Sequence, residues 1–265
     1  MNILIIGRGR VGNGLRRALR ANGTHEVEAA GRAVKPAEVR DADVIVLAVS
    51  DGSIESVAQS ISENLGPGAV VLHCAGARGA DVLQACEARG AAVGVMHPLV
   101  SFPSTRRSPS LRGTTFAMHG SPRALSSARR IAKAFGARAI VAPTGDPAYH
   151  AAAALVANGA AALAFVSAGV LERLGFDRRD AERAIGGLLE TVGQNVQELG
   201  VPAALTGPIA RGEAEAVAAH RAALRRKGRN ALAAYDALVP VIVHCARAAG
   251  LTRSKAAKIL DQSRP

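Results

Sequence analysis

Gly7, Gly9 and Gly12 stand in the run Gly7-Arg8-Gly9-Arg10-Val11-Gly12 and have the spacing of a phosphate cradle. The run follows an apolar stretch, Met1 to Ile6, that reads as a short buried strand. It precedes an Arg-rich amphipathic stretch with Leu15 and Leu19 that extends to Gly23. Strand, G-x-G-x-x-G and helix in that order form a dinucleotide-binding fingerprint. The first glycine allows a tight turn, the second lets the backbone approach a pyrophosphate, and the third lets the helix pack closely on the strand. The helix N-terminus then offers free N–H groups and a positive dipole end. Gly7, Arg8, Gly9, Arg10, Val11 and Gly12 are therefore the expected cofactor loop. An NAD site usually places Asp or Glu about 20 residues further on, against the ribose 2′-hydroxyl. Arg32 stands there instead. A guanidinium meets a 2′-phosphate with two charge-assisted bonds, so the expected cofactor is NADP(H).

Further candidates sit where strands end. A strand at 44–49 runs into Val49-Ser50-Asp51, and one at 69–73 into His73-Cys74-Ala75-Gly76. Val49, Ser50 and Gly76 could let a nicotinamide ribose lie against the backbone. A strand at 92–96 is followed by His97, with Pro98 and Ser101 next. An imidazole there can give a proton as hydride reaches carbon, its unperturbed pKa being near neutral. It can equally cap the strand and bond Ser101 or Ser104. His150 and Asn158 are eight residues apart on one long helical stretch, with Ala154 midway, and so share a face. They could line a cleft, Asn158 holding a carboxylate or carbonyl, or form a helix–helix polar contact. The segment Leu205 to Glu213 interrupts a helical region with two glycines and a proline, and offers Thr206 and Arg211 to a substrate. A plain connector would look the same.

These residues need a scaffold. Apolar runs at 1–6, 26–30, 44–49, 69–73, 92–96, 114–119 and 138–141 read as strands, with helices at 53–65, 80–88 and 122–135. That alternation predicts a parallel, doubly wound sheet. After Pro143 only helices are convincing: 147–174 with Asp146 as N-cap, 177–199, 214–226, 230–249 with Pro240 kinking it or ending its first half, and 252–262. The expected fold is thus α/β: a Rossmann doubly wound sheet over 1–143, then an all-helical substrate and dimerisation domain over 144–265.

The net charge is +12, but the arginines are dispersed, there is no Trp, and only two Tyr could stack on bases. Nucleic-acid binding is not expected, and the charge suits small anions. Cys74, Cys86 and Cys245 make no CxxC pair and no metal spacing, as expected of free thiols in a reducing cytoplasm. The N-terminus lacks a signal-peptide pattern. The longest apolar run, 151–171, contains Asn158 and Ser167 and reads as a packed helix more readily than a membrane span.

The GRGRVG loop, the HCAGARG and MHPLVSFP stretches and the segment LTGPIARGEAEAVAAH together resemble the Rossmann-like proteins that carry a DUF2520 domain. The resemblance covers nearly the whole chain. Those proteins are similar to a superfamily that includes 6-phosphogluconate dehydrogenase, ketopantoate reductase, pyrroline-5-carboxylate reductase and prephenate dehydrogenase. The resemblance implies an NADP-binding domain, a helical domain that often builds a homodimer, and a cleft between them. Ketopantoate and hydroxyacid reductases carry a lysine four residues before an asparagine on the first long helix. Asn158 matches that asparagine, and Ala154 stands in the lysine's place. His97 or His150 is then left as proton donor. Glu213 or Glu215 could stand in for an acidic residue of those reductases.

The expected activity is cytoplasmic NADPH-dependent reduction of a C=O or C=N in a small acid, ketopantoate being the best single guess. The alternative is a non-catalytic NADP(H)-binding sensor or interaction protein. Arg32 decides the cofactor. Losing a charge-assisted contact costs about 1.5–3 kcal/mol, so Arg32→Asp is expected to weaken NADPH binding by roughly 10- to 150-fold. NADH binding should change far less, and equal loss for both in a fluorescence titration would sink the 2′-phosphate role.

Overall fold

Along β1 (Asn2–Ile6) the side chains alternate between two buried clusters. Ile3 and Ile5 join one, Leu4 and Ile6 the other. A strand buried on both faces reads as one continuous apolar run, which is the mark of a parallel sheet covered by helices on both sides. The computed structural model describes residues 1–23, 26–31 and 34–262. Among them β1, β2 (Glu26–Ala30), β3 (Val44–Leu47), β4 (Val70–His73), β5 (Ala92–Pro98), β6 (Thr115–Gly120) and β7 (Arg138–Val141) form one sheet in the order β2-β1-β3-β4-β5-β6-β7. The helices alternating with them are α1 (Arg10–Asn22), α2 (Pro36–Arg40), α3 (Ile54–Ser62), α4 (Gln84–Glu87) and α5 (Pro122–Ala134). The architecture is a Rossmann-like sheet followed by helices, as the alternation of elements implies.

One junction departs from the all-parallel expectation. β5 and β6 pair antiparallel, with His97 opposite Ala117. Parallel neighbours need a crossover, usually a helix. The link from 99 to 114 contains none, so the chain returns in the opposite direction. The link is docked rather than loose. The Arg17 guanidinium donates to the Ser108 hydroxyl at 2.7 and 3.0 Å and to the Thr105 carbonyl at 2.8 Å. The Phe102 ring lies so close to Gly14 of α1 that a side chain there would overlap it. His97 accordingly lies inside β5, two residues further into the sheet than a strand ending at 96 would put it.

The remaining elements are α6 (Pro147–Glu172), α7 (Arg178–Leu199), the short α8 (Pro208–Arg211), α9 (Ala214–Lys227), α10 (Arg229–Ala248) and α11 (Arg253–Gln262). The chain divides into two compact units, 1–154 and 155 onward, so the division falls inside α6 rather than at 143. The reason is local: the first turn of α6 belongs with the sheet, through Tyr149 and His150. Asp146 caps that turn, accepting from the Ala148 N–H at 2.7 Å.

In the second unit Ile209, Val217, Val239, Val243, Ala246, Leu251, Ala256 and Ile259 form one core from α8 to α11. The buried Arg221 binds it together, with two bonds to the Asp236 carboxylate at 2.7 and 3.0 Å and one to the Gln262 carbonyl at 2.6 Å. Pro240 does not end α10, which runs through to Ala248. Its ring is exposed and the flanking Val239 and Val243 are anchored in the core, so the one missing N–H is tolerated.

α6 and α7 behave differently. Only Ala168 of α6 and Ala181 of α7 are buried. Leu155 and Val156 are 76% and 71% exposed, and Phe165, Leu188, Val192, Val196 and Leu199 are exposed as well. The packed helix expected for 151–171 is therefore only half-packed at best among the described residues. α6 and α10 are both long and apolar enough to cross a membrane, by length and composition alone.

Candidate functional site

The glycine run folds as its spacing requires. Gly7 has φ +125°, a backbone region that favours glycine, and a side chain there would overlap the Ala48 carbonyl at the end of β3. A side chain at Gly12 would overlap the Gly7 carbonyl, so α1 can start this close to β1 only with glycine there. Around Gly9 nothing lies within 4 Å of where a Cβ would be. Gly9 is also the N-cap of α1, with no side-chain cap and no acidic residue in the first turn. The first N–H groups of a helix have no partner inside it. Here they face open space beside the exposed Arg8 and Arg10 and the half-buried Val11. The turn also lies at the β1/β3 boundary, where the strand order reverses, and that is where such sheets bind ligands. Val49 passes next to Gly7, its N–H nitrogen 3.2 Å from the would-be Cβ. Ser50 is exposed and shares a hydrogen bond with Ser53 at 2.8 Å. Arg32 lies outside the described residues.

A second cluster forms at the ends of β4 and β5. Gly76 is buried, and a Cβ on it would stand 2.8 Å from Cε1 and Nε2 of His97 and 3.0 Å from Nδ1 of His150. Two imidazoles thus converge on a position that only glycine leaves open. Nδ1 of His97 shares a 2.7 Å hydrogen bond with the Tyr149 hydroxyl, and the His97 ring meets the rings of Tyr149 and His150 edge-on at 5.6 and 6.1 Å. The bond expected from His97 to Ser101 or Ser104 is not made. Ser101 is exposed, and the Ser104 hydroxyl accepts from the Arg107 N–H at 3.0 Å. The loops behind the cluster are latched: the Gly145 N–H donates to the Gly76 carbonyl at 3.1 Å. Thr144, beside that latch, keeps a buried hydroxyl with no partner among the described residues. A polar ligand group could satisfy it.

His73 holds the cluster from behind. Its Nδ1 accepts from the Ala75 N–H at 3.2 Å, which leaves Nε2 to donate to the Gly79 carbonyl at 2.8 Å. Both nitrogens are used and the ring is fully buried, so burial holds it neutral and below its ordinary pKa. His97 is pushed further, to about 4. Burial is the main cause, a charge on His150 or His73 adds to it, and Asp51 opposes it. Desolvation thus disfavours the charged form on which the proton-donor role expected of His97 would draw. Burial also pushes the Tyr149 phenol above its ordinary value, so it stays protonated.

The spacing of residues in the sequence missed Tyr149. It is one residue from His150 on a helix, about 100° round, and only the helix's rotation decides which of the two faces His97. The other candidates belong to the second unit. Asn158 and Thr206 are exposed. Arg211 does not offer a free fork: its guanidinium binds both oxygens of Glu213, at 2.6 and 2.9 Å. Glu213 sits two residues away at the start of α9, close enough to take the charge. His220 pairs with the Tyr235 hydroxyl at 3.1 Å.

Residues 114–241 match DUF2520, a domain of unknown function, and residues 31–98 match the Rossmann-like domain. A protein of Thermotoga maritima is similar in structure, with a TM-score of 0.69 over 93% of this chain and 99% of its own, at 24% identity. A Bacteroides fragilis protein described as a candidate NADP oxidoreductase gives 0.67 over 92% and 98%, at 21% identity. A pyrroline carboxylate reductase of Plasmodium falciparum with NADP bound gives 0.63 over 100% and 98%, at 13% identity. These likenesses show the fold. No curated protein matches the sequence.

The depressed pKa of His97 has a consequence for stability. Between pH 6.5 and about 4 the unfolded chain binds a proton that the folded chain refuses, so stability is full above 6.5 and falls with pH across that window. Replacing His97 with Gln is expected to flatten the pH dependence of the urea midpoint there, leaving the share due to His73. An unchanged slope would show that His97 titrates normally.

Proposed function

We propose that this chain, a Rossmann-like domain followed by a DUF2520 domain, is a cytoplasmic NADP(H)-dependent oxidoreductase acting on the C=O or C=N group of a small acid. A 2-keto acid such as ketopantoate is the best single substrate. The observation that carries this reading is the pairing of two features on one sheet edge. One is an open, uncapped helix start beside Gly9; the other is a cluster of protein groups over Gly76 that can handle a proton. The fold shared with a structure that holds NADP supports the cofactor assignment.

Gly7, Gly9 and Gly12 shape the phosphate loop, whose N–H groups, with Arg8 and Arg10, hold the pyrophosphate. Arg32 takes the 2′-phosphate. Val49 and the exposed Ser50 border the rest of the cofactor, and the orphan Thr144 hydroxyl suits an amide. The bound cofactor supplies a hydride. Among this chain's own groups, His97, Tyr149 and His150 manage the proton, while the exposed Ser101 offers a hydrogen bond to an acid. The three cysteines are free thiols, as a reducing compartment would keep them.

Purified protein mixed with NADPH and a panel of 2-keto acids and cyclic imines is expected to consume the reduced cofactor with at least one of them. Tight NADPH binding with no consumption on any would favour the sensor reading. A second copy of this chain is the partner we propose for α6 and α7. Monomers rarely expose contiguous apolar patches beyond a few hundred Å², and a stable pair buries about 800 Å² on each side. The exposed apolar residues of these two helices suit a self-complementary surface. Light scattering after gel filtration should give twice the 27.1 kDa chain mass. Replacing both Leu188 and Val192 with Asp should abolish the pair, and a monomeric wild-type chain would remove the proposal.

A further inference from the structure

We propose that the two imidazoles over Gly76 clamp the carboxylate of the substrate, His97 and His150 each bonding one of its oxygens, and that one proton enters the site with the acid. The proposal rests on the reductase reading and deepens it: the substrates are small acids with a free carboxylate, and their amides and esters are excluded. The rings come from different elements, His97 from β5 and His150 from the first turn of α6. Their centroids are 6.1 Å apart and their planes meet at 67°. Nε2 of His97 and Nδ1 of His150 both lie against Gly76, 2.8 and 3.0 Å from where a Cβ would stand. Neither nitrogen has a hydrogen-bond partner among the described residues. Neither is a buried orphan, since His97 is half-buried with Nε2 open to solvent and His150 is exposed. The other edge of His97 is held by the Tyr149 hydroxyl at 2.7 Å, and the Gly76 carbonyl by the Gly145 N–H at 3.1 Å. The Tyr149 bond forms whichever of its two atoms donates, so the shape of the clamp does not depend on the tautomer.

Two open imidazole nitrogens side by side suit either a metal ion or an anion, and the surroundings separate the two. Among the described residues no third His, Cys, Asp or Glu joins the pair as a metal ligand. Even a catalytic zinc site takes three protein ligands. A carboxylate has two oxygens and needs only two donors. Arg211, the other group expected to hold an acid, has its fork filled by Glu213. The charges around the pair give the same answer. A charge on His150 works against one on His97, and burial of His97 adds to this. Of the groups near the pair, Asp51 after β3 favours charge, His73 at the end of β4 is held neutral, and the Tyr149 phenol stays protonated. The empty pair therefore resists protonation. A carboxylate against both rings supplies the opposite charge and an acceptor for each nitrogen. The pair then takes one proton from solvent, titrating as a unit, and both nitrogens donate in charge-assisted bonds. An N–H bond is the only covalent bond made, and the proton is balanced by the charge of the acid.

The test is calorimetry with oxalate, a small acid that cannot be reduced by hydride, on the NADP-loaded protein. Heats measured in two buffers of different ionisation enthalpy are expected to show uptake of about one proton at pH 7, and the oxalate Kd should rise by up to about tenfold per pH unit above that. Oxamide, the neutral diamide of the same shape, should not bind. His97→Gln and His150→Asn each keep an N–H at similar reach but cannot take a charge. Each is expected to weaken oxalate by roughly 10- to 150-fold and to abolish the proton uptake. An unchanged circular dichroism spectrum and an NADP Kd within about threefold of wild type should accompany that loss. Oxalate binding without proton uptake, or uptake that survives in both variants, overturns the proposal. Sulfate binding as tightly as oxalate overturns the carboxylate assignment. Oxalate that binds the free protein and is expelled by NADP shows that the pair belongs to the cofactor, and overturns it too. Failure of the wild type to bind NADP takes down the reductase reading instead, and oxalate added to the free protein still decides whether the pair holds a carboxylate.

Discussion

How closely two chain segments can pass at the C-terminal edge of the sheet governs every other feature of the candidate site. Three crossings there are made without side chains. Gly7 runs against the Ala48 carbonyl, Gly12 against Gly7, and Gly76 against two histidine rings. A fourth, Gly145, has φ +95° and presses on the Gly79 backbone. The first two crossings aim α1 so that its free N–H groups open onto space beside Gly9. The others bring the segment before α6 onto the end of β4, and this places Tyr149 beside His97. The sheet itself is a rigid base for these approaches, since β1, β3 and β4 are buried along their length except at the first residue of β1. A close-packed interior transmits small shifts rather than absorbing them.

The same crowding sorts the two buried histidines into different roles. His73 has a partner on each nitrogen and no freedom of tautomer, so it acts as a cross-brace between the end of β4 and Gly79. His97 has a partner on Nδ1 alone, and that partner is itself ionisable. Both are held neutral by burial, and in a neutral pair the position of one proton determines what the neighbouring hydroxyl can do. Asp51, at the end of β3, works against that neutrality at both rings. At His73 the bond to the Gly79 carbonyl and the charge of Asp81 oppose desolvation as well.

Much of this was legible in the residues. The run Met1–Ile6 and the glycines after it specify β1, the turn and α1, because each glycine meets a steric demand that its spacing announces. Gly76 and His97 were legible as members of a site because both fall at strand ends. Other features depend on contacts between distant segments, which a local pattern does not carry. The direction of β6 follows from a link that docks on Arg17 and Gly14, some 90 residues earlier in the chain. Tyr149 was hidden beside His150 by a rotation of one residue. Arg211 looked like a free cation until Glu213 was seen to fill its fork. The depression of His97 comes from burial, which residue type alone does not encode.

The second unit shows what a single chain leaves unfinished. Its core draws on α8 to α11, while α6 and α7, 26 and 22 residues long, contribute to none of the three buried apolar clusters among the described residues. Helices are stabilised in proteins mainly by burying an apolar face, and intrinsic propensity adds little. α7 has some support of its own: Asp177 accepts from the Arg179 N–H at 2.8 Å, and Arg178 bridges Glu172 and Glu182. Exposed pairs of that kind are screened by water and add little. In the pair proposed above, a second copy would supply that burial, and folding and association would then be linked. α6 carries Tyr149 and His150 on its first turn, so whatever steadies its exposed length also steadies the groups beside His97.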